Sequence, residues 1–118
     1  MEKIIMADSI NILESLVLLS KPLTEISDEL SKLDWDYKAE SYVVLAKRVS
    51  SVLHRYVSGE LSSDDVEGWA NLIECREDLE FESSKEKELE NTIYRLANPV
   101  LEGEITPELC RQLISKLS

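Results

Sequence analysis

The only histidine in the sequence, His54, is the residue best suited to acid–base catalysis at neutral pH. It falls on the polar side of a predicted third helix, near Lys47, Arg48, Ser51 and Arg55. A general base needs a nucleophile or an orienting carboxylate within reach, and the sequence has no such residue at a spacing that would place it beside His54. We therefore expect a surface histidine, no catalytic residues and no enzyme, although a polar pocket around His54 would favour an enzyme. Lys47, Arg48 and Arg55 form a basic stripe on this helix, which can face the acids of a neighbouring helix.

The sequence contains no complete motif for metal binding or for phosphate binding. Asp34-Trp35-Asp36 lacks the remaining ligands and the glycine of a calcium loop. No Glu-x-x-His motif and no glycine-rich phosphate loop is present. Neither Cys75 nor Cys110 has a second Cys or His two to five residues away, so no zinc pattern exists. We expect no metal, no cofactor and two free cysteines that act as small buried hydrophobes.

Negative charge dominates the composition. The 118 residues contain 24 acidic and 13 basic side chains, a net charge of −11 with a pI near 4.5. Residues 60–104 alone carry 14 acidic and 4 basic side chains, so a charge of −10 lies there and only −1 on the rest. A nucleic-acid binder needs an excess of Lys and Arg to neutralise phosphates, which excludes this class of partner.

Within this acidic segment, a set of polar residues repeats at intervals of three and four. Because residues at this spacing share one side of a helix, they predict a polar ridge over the apolar stripe of a fourth helix. Such a run can be an ordinary solvated face, but clustered like charge costs stability, and a basic partner would explain it better. The predicted partner-binding residues are Asp64, Glu67, Asn71, Glu74 and Asp78 on the ridge, with Glu77, Glu80 and Glu82 beside it.

The elements that position these residues are predicted from apolar periodicity and capping signals. Residues 1–118 are expected to form one all-α domain, a compact bundle of about six helices. The first predicted helix runs to about Ser20, and the second begins at Pro22. The third contains Tyr42 and ends at Gly59, and the fourth is capped by Ser62 and Asp65. The fifth is capped by Ser83 and Glu86 and ends at Asn98-Pro99, and the last begins at Thr106-Pro107. The stretch from Arg76 to Glu82 is predicted as a loop or a weak helical turn.

Three residues have both a structural and a functional interpretation. Trp69 lies on the apolar stripe of the fourth helix, so we expect it in the core. Gly68 is unusual inside a helix and indicates either close helix packing or room for a partner. Trp35, in the connection that ends at Tyr37, is either a core residue or an interface anchor.

The apolar runs are too short for a membrane span. The longest are Ile4-Ile5-Met6-Ala7 and Leu16-Val17-Leu18-Leu19, and the first residues lack the basic start and small-residue cleavage site of a signal peptide. We therefore expect a cytoplasmic protein without a membrane partner.

From Gly59 to about Leu113 the sequence resembles the small acidic helical immunity proteins of bacterial contact-dependent growth inhibition systems. The resemblance is carried by Tyr56-Val57-Ser58-Gly59-Glu60-Leu61, Gly68-Trp69-Ala70-Asn71, Arg76-Glu77-Asp78, Leu96-Ala97-Asn98-Pro99 and Ile105-Thr106. It implies a monomeric cytoplasmic antidote that binds, one to one, the C-terminal toxin domain of an exported effector. Such toxins are often nucleases, whose basic clefts an acidic protein can occupy. The alternative is a helical adaptor or regulator with an unrelated basic protein partner.

Overall fold

Helices form wherever the apolar residues recur at helical spacing. The computed structural model describes residues 11–31, 42–76 and 79–118. Residues 11–18 belong to the first helix, α1. The other helices are α2 (Leu23–Ser31), α3 (Ala46–Val57), α4 (Ser63–Glu74), α5 (Glu86–Ala97), the short α6 (Pro99–Glu102) and α7 (Pro107–Leu117). The structure confirms the predicted all-α bundle and adds α6, which the sequence analysis left out.

One continuous hydrophobic cluster holds these helices together. Leu16 and Val17 of α1 are fully buried in it, as expected for a central helix. The structure pairs α4 with α5 and α3 with α7, and α2 packs against α4. Trp69 of α4 is completely buried, which confirms the prediction that it is a core residue.

A short parallel β-ribbon corrects two predictions. Tyr42–Val44 form β1, so Tyr42 does not belong to the third helix, which begins at Ala46. Leu79–Phe81 form β2, in the stretch predicted as a loop or helical turn. Tyr42 pairs with Leu79 and Val44 with Phe81. Parallel pairing between distant strands gives no local sequence signal, unlike a hairpin.

Helix ends follow the predicted caps in three of four places. Gly59 has a φ of 93°, the left-handed conformation that ends α3. Thr106 accepts a hydrogen bond from the Leu109 backbone N–H (3.1 Å) at the start of α7. Ser62 and Asp65 form the predicted capping box at the start of α4. The predicted box of Ser83 and Glu86 is wrong, because residues 83–85 form a 3₁₀ turn and α5 begins at Glu86 without a side-chain cap.

The end of α1 is capped from another helix. The Arg55 Nη1 atom donates to the carbonyl oxygens of Leu18 (2.9 Å) and Leu19 (3.0 Å), and its Nε atom pairs with Glu60 (2.6 Å). Leu19 itself has a φ of 50°, although its side chain is buried. Arg55 therefore satisfies carbonyl groups that have no partner within their own helix.

The two cysteines are free, as predicted, but only one is buried. Cys110 of α7 is fully enclosed, and burial raises the pKa of its thiol to about 11. Cys75 is exposed, so the expectation that both are buried is wrong for this residue. Trp35 and Tyr37 lie outside the described residues.

Candidate partner-binding surface

The start of α4 is fixed by a reciprocal pair of hydrogen bonds. The Ser62 hydroxyl accepts from the Asp65 backbone N–H (3.1 Å), and the Asp65 carboxylate accepts from the Ser62 N–H (3.0 Å). This is the predicted capping box, and it sets which residues of α4 face outward. It also uses Asp65 within the fold.

The inner side of α4 fixes the helix on the body of the molecule. Val66, Trp69, Ala70 and Ile73 are buried there. The indole Nε1 of Trp69 donates to the carbonyl oxygen of Leu16 at 2.9 Å. Because both the apolar and the polar part of the tryptophan are satisfied, the outer face of α4 is held in a defined orientation.

Gly68 allows α2 to approach α4 closely. A Cβ atom at this position would lie 2.7 Å from the Cδ1 atom of Leu23. Of the two interpretations given to this glycine, the structure supports close helix packing.

The predicted ridge is present over the length of α4. Asp64, Asn71 and Glu74 are exposed and Glu67 is half-buried. Within the described residues, none of these acids forms a salt bridge. We call Asp64, Glu67, Asn71 and Glu74 the α4 ridge. The helix that carries this ridge ends at Glu74.

Glu74 stands where a negative charge is unfavourable. It is the last residue of α4, and the last turn contains no basic residue. The carboxyl end of a helix carries the negative end of its dipole, so a glutamate there costs roughly 0.3–1 kcal/mol. The free energy of folding does not explain why this acid is present.

The remaining predicted site residues differ in their surroundings. Glu80, on β2, is exposed. Glu82 is half-buried, and its carboxylate accepts from the Ala46 backbone N–H (2.9 Å) and the Ser84 hydroxyl (3.3 Å). Glu82 thus caps the start of α3, a structural role that its position in the acidic run did not indicate. Glu77 and Asp78 lie outside the described residues.

Tertiary contacts add two acids that the sequence analysis did not select. Glu104 joins Glu67 in lining a shallow pocket of about 350 Å³. Glu90 of α5 joins Glu74 in lining a groove of about 240 Å³ that also contains the basic residue Arg76. Both residues were counted in the acidic segment. Their position beside the α4 ridge depends on how α5 and the following loop pack, which spacing within one helix cannot reveal.

A separate polar cleft surrounds His54. It has a volume of about 800 Å³ and is lined by Lys47, Lys85 and several serines. His54 is exposed, as predicted, and its imidazole makes no hydrogen bond with the described residues. The one carboxylate side chain in the lining, Glu82, is bound to the start of α3. The hydroxyl–carboxylate pair in the lining, Ser84 and Glu82, does not include His54, and the absence of enzyme activity stays a prediction.

Within residues 11–31, 42–76 and 79–118, no group of three or more His, Cys, Asp and Glu side chains is placed to hold a metal ion. None of the helices described there is both long enough and apolar enough to cross a membrane.

The chain matches no protein-family model, and no curated protein and no solved structure is significantly similar to it. Inference about its function therefore depends on the surface chemistry of the chain itself and on the resemblance noted in its sequence.

Proposed function

We propose that this chain is a cytoplasmic immunity protein that neutralises a bacterial toxin. Its partner is the basic C-terminal toxin domain of a contact-dependent growth inhibition effector, of the nuclease class. The chain binds this domain as a monomer in a one-to-one complex and covers its active site. It acts by steric occlusion and needs neither a catalytic residue nor a cofactor.

The observation that carries this proposal is the α4 ridge, whose helix is anchored to the core by the buried Trp69. Its carboxylates form no salt bridge within the described residues. Glu74 is even placed against the helix dipole. Acids that have no salt-bridge partner among the described residues and lie on an oriented helix face are suited to a cationic partner.

Electrostatic attraction explains how such a protein would act quickly. An acidic surface raises the rate of encounter with a basic domain, and the effect weakens as salt increases. A nuclease cleft is basic because it holds phosphates, so the α4 ridge can occupy the position of the nucleic-acid backbone.

The direct test uses the C-terminal domain of a large exported effector encoded next to this chain, and the absence of such a gene would favour the adaptor. Cells producing that domain should survive when they also produce this chain, and the purified pair should bind with an association rate that falls with salt. Replacing Glu67 and Glu74 by Lys should slow association at least tenfold at low salt.

A matched control distinguishes the effect of the α4 ridge on the association rate from the effect of net charge alone. Lys at Glu25 and Glu108, two exposed acids of α2 and α7, changes the charge of the chain by the same amount. This variant should associate much faster than the ridge variant. Equal rates for both would reject the ridge as the docking face. Tight binding to an unrelated basic protein, without protection from the toxin, would favour the adaptor.

A further inference from the structure

The most exposed large hydrophobic residues of the described chain stand next to each other. Val100 is 95% exposed and Leu101 72% exposed, both on α6. A single exposed apolar side chain is common on protein surfaces, but two adjacent ones at the tip of a short helix form a small apolar projection. We call Val100 and Leu101 the α6 tip.

The α6 tip is fixed at both ends. On one side, the Asn98 carbonyl accepts from the N–H groups of Leu101 (3.1 Å) and Glu102 (2.9 Å), and the Asn98 amide donates to the Tyr94 carbonyl (2.8 Å). On the other side, Ile105 is buried and its carbonyl accepts from the Tyr56 hydroxyl (3.1 Å). A partner would therefore bind apolar side chains whose backbone is already ordered, which reduces the entropy lost on binding.

Acidic residues surround this tip. Pro99, which precedes Val100, lines one pocket together with Glu67 of the α4 ridge and Glu104. Glu102 follows Leu101 directly and is exposed. The pocket beside Pro99 therefore connects the neighbourhood of the apolar tip with the α4 ridge, so that an apolar group has acids beside it.

We propose that the α6 tip is the apolar anchor of the partner interface and inserts into an apolar pocket on the basic domain. This inference rests on the proposed function and assigns separate tasks to two regions. The α4 ridge sets the rate of association, and the α6 tip sets the lifetime of the complex. A second copy of this chain is a poor occupant, because the rim acids of two copies would repel each other.

Binding kinetics with the neighbouring toxin domain test this division. The double variant Val100→Ser, Leu101→Ser should dissociate about 10- to 100-fold faster, with an association rate within about twofold of wild type. Val100→Ile with Leu101→Met should dissociate as slowly as wild type. Since both side chains are exposed, the melting temperature should not change.

Val43→Ser is the matched control, because Val43 is 49% exposed and lies on β1. Its dissociation rate should equal that of wild type. An unchanged dissociation rate in the α6 double variant would overturn the anchor while leaving the immunity function intact. If the wild-type chain fails to bind the toxin domain, both proposals fall. A wild-type dimer that the double variant converts to a monomer would also overturn the anchor, since the tip would then bind another copy.

Discussion

Helices α3 and α4 have the same length and the same number of buried residues but opposite charge. Each contains 12 residues, four of them buried. α3 carries three basic residues and no acid, whereas α4 carries four acids and no base. The last turn of α3 contains His54 and Arg55, which suit the helix dipole, while α4 ends on Glu74, which opposes it.

The difference lies in where the charge is used. Arg55 of α3 caps α1 and pairs with Glu60, and Glu82 caps the start of α3 itself. Outside α3, Lys21 binds Glu29 at 3.0 Å, and this hydrogen bond is the main cause that raises the pKa of Lys21. The outer acids of α4 have no such partner among the described residues. Charge near α3 thus stabilises the fold, whereas the charge of the α4 ridge is left for the partner that we propose.

Removing the Arg55 guanidinium should have the largest effect on stability. Arg55→Met would leave the carbonyls of Leu18 and Leu19 without their donor, and we expect the free energy of unfolding to fall by about 3 kcal/mol. Arg55→Lys should lose less, because the charge stays but the planar fork is lost. Urea unfolding followed by circular dichroism measures the change.

Glu60→Gln is the control for this prediction. It removes only an exposed ion-pair partner, so it should lower stability by less than about 1 kcal/mol. If Arg55→Met has an equally small effect, the charge of α3 does not hold the fold and the comparison with α4 fails.

Alkali should weaken the α3 side through the buried thiol of Cys110 on α7. Its pKa is raised from 9.0 to about 11, so the neutral thiol is favoured in the folded state. The stabilisation from this thiol is complete below pH 9 and falls as the pH rises from 9 to 11. The loss at pH 11 amounts to about 2 kcal/mol. The free energies of unfolding of wild type and Cys110→Ala, measured from pH 8 to pH 11, should therefore converge by that amount.

Cys75→Ala provides the matched control, since Cys75 is an exposed thiol. It should follow the wild-type pH dependence throughout. Parallel curves for wild type and Cys110→Ala would show that burial of Cys110 does not govern the alkaline loss.

Local signals in the sequence were sufficient for part of this fold. Ser62 and Asp65 lie three residues apart and form the predicted capping box, and Gly59 ends α3 as its freedom of φ suggests. The apolar stripe that contains Trp69 also located the inner side of α4, and hence its outer ridge. In each case the interacting groups lie within one or two helical turns of each other.

Interactions between distant segments could not be predicted in this way. β1 pairs with β2 across 37 positions, and Glu82 reaches the start of α3 across 36. The same limit applies to the candidate surface. Glu104 lines the same pocket as Glu67 and as Pro99, the residue before the α6 tip, only because α5 and its following loop fold back against α4.

Neutralising the α4 ridge should have the smallest effect on stability, and its sign is informative. For the double variant Glu67→Gln with Glu74→Gln, we expect the free energy of unfolding to rise by at most about 1 kcal/mol at low salt. The reason is that self-repulsion among the acids and the unfavourable charge at the helix end are relieved. The gain should shrink in 1 M NaCl, which screens exposed charges. Glu29→Gln should instead lower stability slightly, since it removes the partner of Lys21. Thermal unfolding at both salt concentrations measures all three chains. A clear loss of stability in the ridge variant would mean that the α4 acids support the fold, and their assignment to a partner would lose its main argument.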